Sequence, residues 1–226
     1  MFTRTEQLIG DPAFARLRQV RVLLVGVGGV GGWCAEALVR TGIQHLTIVD
    51  YDTIDVTNIN RQIVALSTNT GKPKVEEMKK RLLAVNPDAD IVAINGRYGG
   101  DNGLEICFDD YDYVLDAIDS VVAKTQLLNE ASRSRATLFS AMGAGHKTDA
   151  LSARVAEFGK VGGCPLARAV RHRMKHIGQW PVKKFLCVFA EHQTDRTGTI
   201  APVVGTFGMA LAGLVVSDII APNTGK

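Results

Sequence analysis

Apolar and polar positions along this chain follow two periods in turn. Residues 20–25 (VRVLLV) form an unbroken apolar, β-branched run that ends in glycines, as a strand buried on both faces would. Residues 30–40 switch to helical spacing, with Ala35, Leu38 and Val39 on one side and Gly42 as the stop. A second buried strand over 46–49 closes at Asp50, and 74–85 (KVEEMKKRLLAV) is an amphipathic helix between Pro73 and Asn86-Pro87. Residues 91–94, 113–115 and 137–141 read as three further strands. Helices are expected between residues 101 and 108 and over 121–133.

This alternation holds to about Met142 and predicts an α/β fold, a Rossmann-like doubly wound, mostly parallel sheet. Beyond Gly145 the pattern changes. Strands are expected over 153–158 and 184–189, flanking a helix from 165 to about 176. With no internal repeat or linker, this is an antiparallel and helical elaboration, and 1–226 reads as one domain. Residues 199–217 carry no charge and approach the roughly 20 residues of a membrane span. Pro202, Gly205, Gly208 and Gly213 interrupt them and Asp218 follows, so the segment is read as a glycine-rich core or dimer-contact helix.

Composition adds limits. At 226 residues, with 46% hydrophobic and 22% charged positions, the chain suits one substantial soluble core rather than two. Its four cysteines form no C-x-x-C pair, which argues against a cysteine-built zinc site. MFTRTEQLIG is too polar for a signal peptide, and a reducing cytoplasmic setting is expected. Cys34, Cys107 and Cys187 are assigned to apolar element interiors. Net charge is only +3, yet residues 158–190 hold seven basic side chains and no acid. The rest of the chain must then sum to −4, an asymmetry that suits either a polyanionic partner or a solvated helix face.

The chemistry gathers around GVGGVG, Gly26 to Gly31. Gly26, Gly28 and Gly29 allow a tight turn off the strand and close approach to a phosphate, while Gly31 allows the helix to pack on the sheet. Asp50, nineteen residues later, suits ribose hydroxyls. That much fits NAD or FAD as well as ATP. VTNINRQ shifts the balance, because Asn58 and Arg61 fall three apart on a turn outside the sheet's carboxyl edge. Lys74 opens the next helix, and Asp119, after YVLDAID, can hold Mg²⁺ through water. Hydride transfer needs none of these groups, whereas attack on the α-phosphate of ATP needs them all.

GVGGVG, DYDTIDVTNINRQ, GKPK and DAIDS together resemble the ThiF/MoeB/HesA adenylating superfamily, relatives of the ubiquitin-activating enzymes. RTEQLIG, NINRQI, SAMGAG and CPLAR are most similar to its tRNA threonylcarbamoyladenosine dehydratase branch. The resemblance implies that the glycine turn and Asp50 hold adenosine, that Asn58, Arg61 and Lys74 grip the triphosphate, and that Asp119 takes the metal. It also implies a homodimer in which Arg4 reaches the partner's ATP. Gly32 stands where the family usually has Ser, and no arginine precedes Phe2. The C-x-x-C pairs of the sulfur-carrier activators do not occur in these 226 residues, and no appended sulfurtransferase domain is expected.

The implied reaction is ATP-dependent adenylation of the threonine carboxylate of threonylcarbamoyladenosine in tRNA, followed by ring closure with loss of AMP. Arg168, Arg171 and Lys175, at i, i+3 and i+7, would line one helix face and follow tRNA phosphates. Cys164, opening that helix, is either a nucleophile or ordinary packing. A protein of a sulfur-carrier or cysteine-desulfurase system is a further expected partner, and the membrane is not. Rival readings are an activator of a ubiquitin-like or sulfur-carrier protein, an NAD(P)-dependent oxidoreductase, and a catalytically silent nucleotide-binding subunit.

Overall fold

The computed structural model describes residues 1–100, 103–191 and 194–221. Two helices precede the first strand: α1 (Thr3–Ile9) and α2 (Asp11–Gln19). They then give way to β1 (Arg21–Val25), α3 (Gly29–Thr41), β2 (His45–Asp50), α4 (Lys74–Val85), β3 (Asp90–Asn95) and β4 (Tyr113–Asp116). After these come α5 (Val121–Ala131), β5 (Thr137–Ala141), β6 (Arg154–Glu157), α6 (Pro165–His176), β7 (Leu186–Phe189) and α7 (Ala201–Ile220). The seven strands among the described residues join one sheet in the order β3-β2-β1-β4-β5-β7-β6, parallel throughout except for the antiparallel β6–β7 pair. The two C-terminal strands therefore extend the same sheet, as an elaboration of it.

Each face of the sheet has its own core. Leu24, Leu46 and Ile48 pack with residues of α2, α3, α4 and α7 on one side. Leu23, Val25 and Val114 pack with α5 and α6 on the other. The inner strands are buried on both faces, which is why β1 reads as a continuous apolar run rather than an alternating one. Gly42 ends α3 in the left-handed region at φ +117°, its N–H donating to the carbonyls of Leu38 and Val39.

Helix α7 is long and apolar enough to cross a membrane by length and composition, with a mean hydropathy of 2.0. Its inner face instead packs along α3, burying Val204, Phe207, Leu211 and Val215. Gly208 makes that approach possible: a Cβ there would sit 2.5 Å from the Val30 carbonyl oxygen and 2.7 Å from Trp33 Cβ.

Three local expectations are corrected. The helix expected between residues 101 and 108 is absent over 103–107, where a short bridge and a single 3-10 turn at Phe108–Asp110 stand instead; residues 101 and 102 lie outside the described set. Gly99 and Gly100 both stand at positive φ (+81° and +87°), and between Gly103 and the turn at Phe108 only four residues remain, too few to form and bury an amphipathic face. Cys107, assigned to an apolar interior, is exposed, whereas Cys34 and Cys187 are buried and burial pushes both thiols up. Helices α1 and α2 had no counterpart in the sequence reading. Pro12 starts α2, which buries Ala13, Phe14 and Leu17, and Arg16 ties it to the C-terminal end of α7 through the Ile219 carbonyl at 2.8 Å.

Candidate active site

The chain leaves β1 by a glycine turn and returns through β2 and β3 on one side, then crosses to β4 on the other. Strand order therefore reverses between β1 and β4, and a crevice opens there at the carboxyl ends of the strands. It is a cavity of about 570 Å³ lined by Gly26, Gly28, Gly29, Asp50, Asn58, Arg61, Lys74 and Asp119, among others. Eight of the positions read from the sequence as ligand-binding thus share one cleft.

Gly31, the ninth, lies behind the wall and has a steric role. A Cβ on it would come within 1.8 Å of the Gly26 carbonyl oxygen, and one on Gly26 (φ +96°) would meet the Ala117 carbonyl at 2.8 Å. Only glycine lets α3 press its first turn against the loop. The start of α3 has no side-chain cap, so its unpaired N–H groups and positive dipole end are available to an anion.

Asp50 closes β2 with both oxygens engaged: Oδ2 accepts from the Val27 N–H at 2.7 Å and Oδ1 from the Asp52 N–H at 2.9 Å. It clamps the glycine turn to the neighbouring strand as well as facing the cleft. Asn58 ends a 3-10 turn (Val56–Asn58) begun by Asp55, whose side chain accepts from the Thr57 N–H while Asn58 Oδ1 accepts from the Asp55 N–H. Those Thr57 bonds hold the Asp55 carboxyl below its usual range. The same turn orients Arg61, whose Nη1 donates to the Thr57 carbonyl at 2.8 Å and to Asn60 Oδ1 at 3.0 Å. Lys74 is buried at the start of α4, with its ammonium 2.7 Å from Asp52.

Behind Asp119 stands a feature the sequence reading missed. Asp116, at the end of β4, and Lys124, on α5, are both fully buried and 2.5 Å apart. Ser140, on β5, donates to the same carboxylate oxygen, and Lys124 also donates to the Ile118 carbonyl at 2.7 Å. This network fixes the Ile118–Asp119 loop from beneath. The only hint in the sequence was a charged residue inside the otherwise apolar run YVLD.

Other cleft residues were also missed. Gln62 is buried with its Oε1 unpartnered. Arg97 lies over the Tyr51 ring at 5.6 Å, giving the Asp50 side of the cleft a flat guanidinium–aromatic wall on which a purine can stack. His146 is exposed and lines the cleft, and it is the only described non-glycine residue with positive φ (+61°).

Five of the expected functional residues lie elsewhere. Arg4 sits on α1, outside its own chain's cleft lining. Cys164 caps α6 but is 1% exposed, behind Gly143, so its thiol is not presented to the cleft and the nucleophile reading fails on access. Along α6, Arg168 and Lys175 are exposed, whereas Arg171 is partly committed, its Nη1 donating to the Phe158 carbonyl at 3.2 Å.

A glycine turn, an uncapped helix start and two cations converging on one crevice make a site for a nucleoside phosphate. A profile of the ThiF family matches residues 2–226. The chain belongs to the ThiF family. Among its relatives, a Bacillus subtilis protein named tRNA threonylcarbamoyladenosine dehydratase is 38% identical over 179 residues, 78% of this chain and 70% of the relative. A Haemophilus influenzae protein of the same name is 39% identical over 182 residues, 79% of this chain and 70% of that one. The ThiF fold here also superposes on the Escherichia coli dehydratase TcdA in complex with ATP. The TM-score is 0.87 and the identity 33%, covering 96% of this chain and 93% of the other.

Proposed function

We propose that this ThiF-family chain acts as a single ATP-using domain that adenylates the threonine carboxylate of threonylcarbamoyladenosine in tRNA and then cyclises it. One observation carries the reading: Asn58, Arg61, Lys74 and Asp119 meet beside the glycine turn in a single cleft. The relatives' shared name and the ATP bound to the superposed enzyme support it.

The carboxylate oxygen attacks the α-phosphorus and pyrophosphate departs. Charge builds on the phosphoryl oxygens, where the guanidinium of Arg61, the ammonium of Lys74 and the N–H groups opening α3 can meet it. A carbamoyl nitrogen or oxygen of the same nucleoside then attacks the acyl carbon and AMP leaves. The net change is loss of one water, taken up in splitting ATP to AMP and pyrophosphate. Because that second nucleophile is intramolecular, its effective concentration is already high, and no enzyme thiol is needed.

Mg²⁺ fits the donor set. Among the described residues no group of three or more His, Cys, Asp or Glu could cage a metal. A lone carboxylate such as Asp119 suits an ion held otherwise by phosphate and water. When bound, the ion would neutralise charge on the leaving pyrophosphate.

The reading includes a homodimer. Helix α1 buries none of its residues and leaves Leu8 85% exposed, and the outer side of α7 presents Met209 and Ile220 to solvent. A second copy covering these surfaces would let Arg4 reach the neighbouring cleft. An inactive Arg4→Ala chain mixed with an inactive Arg61→Ala chain should then recover part of the activity, since one site of the mixed dimer is intact. Absence of recovery rejects the shared site.

The deciding experiment measures AMP and cyclised nucleoside with and without tRNA carrying threonylcarbamoyladenosine. No tRNA-dependent AMP, or pyrophosphate exchange driven instead by a carrier protein ending in Gly-Gly, overturns the reading. Activity should also fall steeply with salt. Arg168→Gln with Lys175→Gln should weaken tRNA binding roughly ten-fold or more and reduce the salt slope by about two, with ATP affinity unchanged. Such chemistry belongs in the cytoplasm, where tRNA is matured; a sulfur-carrier or cysteine-desulfurase partner would be accessory to it.

A further inference from the structure

Helix α6 begins at the cleft, where Pro165 and Leu166 line its mouth, and carries its basic face away from it. At the far end Gly178, at φ +65°, turns the chain back so that Trp180 lies beside the helix. Between them is an open groove of about 620 Å³, bordered by Arg168, Arg171, His172, Met174, Lys175 and Trp180. Among the described residues that line it, none is acidic.

Trp180 is 49% exposed, yet it is not loose. Its ring packs on Phe158 at 5.8 Å, and Phe158 is stacked on Phe185 at 5.1 Å and 17°. Arg171 lies over the Phe158 ring at 5.9 Å and donates to the Phe158 carbonyl. Asn129 holds Gln179, the residue before Trp180, at 3.1 Å. An aromatic plate is thus backed by two further rings, with one side open and cations along its border.

We infer that this groove is a stacking site for an unpaired nucleobase of the RNA substrate, with Trp180 as the platform and Arg168 and Lys175 on the flanking phosphates. The inference rests on the tRNA reading above and adds to it a base-contacting position away from the reacting adenosine. Charge decides the occupant. A groove edged by cations and free of carboxylates complements a phosphate chain, and an exposed indole offers every base a π-face without reading sequence. From Pro165 to Lys175 the helix rises about 15 Å, which puts the platform a few nucleotides from the cleft mouth, within one RNA loop.

The test uses the full chain and a stem–loop RNA containing threonylcarbamoyladenosine. Trp180→Ala should raise the RNA Kd by about ten-fold and leave ATP binding, measured by calorimetry, unchanged. Trp180→Phe should stay within about two-fold of wild type. Indole emission should be quenched by RNA but not by dextran sulfate, a polyanion without bases, and the RNA-dependent part should vanish in Trp180→Phe.

Equal RNA affinity of Trp180→Ala and wild type overturns the inference while leaving the tRNA reading intact. Equal losses in the Ala and Phe variants make Trp180 a structural residue and also overturn it. An unquenched Trp180 in an RNA-saturated chain assigns the groove to a protein partner instead, and that too refutes the platform. Failure of the wild-type chain to bind RNA at all removes the underlying reading as well.

Discussion

Arg61→Ala will lower the rate of AMP formation by roughly a hundred- to a thousand-fold, the usual cost of removing one donor aimed at developing charge. The guanidinium is held in place by the Thr57 carbonyl and Asn60, on a turn fixed in turn by Asp55 and Asn58. It is therefore positioned before substrate arrives, and its loss removes charge rather than shape. Arg61→Lys should recover little, because an ammonium cannot make the same two holding bonds and present a forked donor at once. Thermal stability should change little in either variant, since the side chain is only partly buried at the cleft edge. Rapid-quench measurement of AMP formation with saturating ATP separates the rate from binding. A loss below about ten-fold would mean that Arg61 does not face the reacting phosphate.

Lys124→Met will have the largest effect on stability. Removing one partner of a fully buried ion pair leaves the other charge stranded, at a cost of about 3–5 kcal/mol. For a chain of this size that corresponds to a fall in Tm of roughly 10 °C. The Ile118 carbonyl also loses its Lys124 donor, so the loop carrying Asp119 should loosen and the Mg²⁺ dependence of the reaction should shift to higher concentration. Adding Asp116→Asn to Lys124→Met should restore part of the Tm, because the stranded charge is then gone. A double variant no more stable than the single would show that the penalty comes from lost packing. Melting by circular dichroism, with the Mg²⁺ profile beside it, reads both effects.

How much of this was legible beforehand depends on range. The glycine turn, Asp50 and the pair Asn58 and Arg61 could be placed because each motif sits next to a strand end that its own apolar run reveals. The Asp116–Lys124–Ser140 network could not. Its members are 8 and 24 positions apart, on β4, α5 and β5, and become neighbours only once those elements pack. Tyr51 and Arg97, on opposite sides of α4 in sequence, meet for the same reason. Cys107 is exposed where an apolar interior was expected, and Cys164, left open between nucleophile and packing, is buried, since a cysteine's own residue type says nothing about which wall it ends behind. Helix α1 shows no apolar stripe to read because it buries nothing within its own chain, whereas α2 carries one, Ala13, Phe14 and Leu17, that is too short to stand out beside its polar flanks.

The sequence alone determined the alternation of strands and helices, the position of the anion-binding turn and the identity of the groups around it. These follow from local periodicity and from steric limits on single residues, which act within a turn or a strand. Only the tertiary structure decided the strand order, the buried charges under the cleft, the retreat of Cys164 and the backing of Trp180 by two rings. Those depend on contacts between segments distant along the chain, whose energies exist only after the sheet has brought them together.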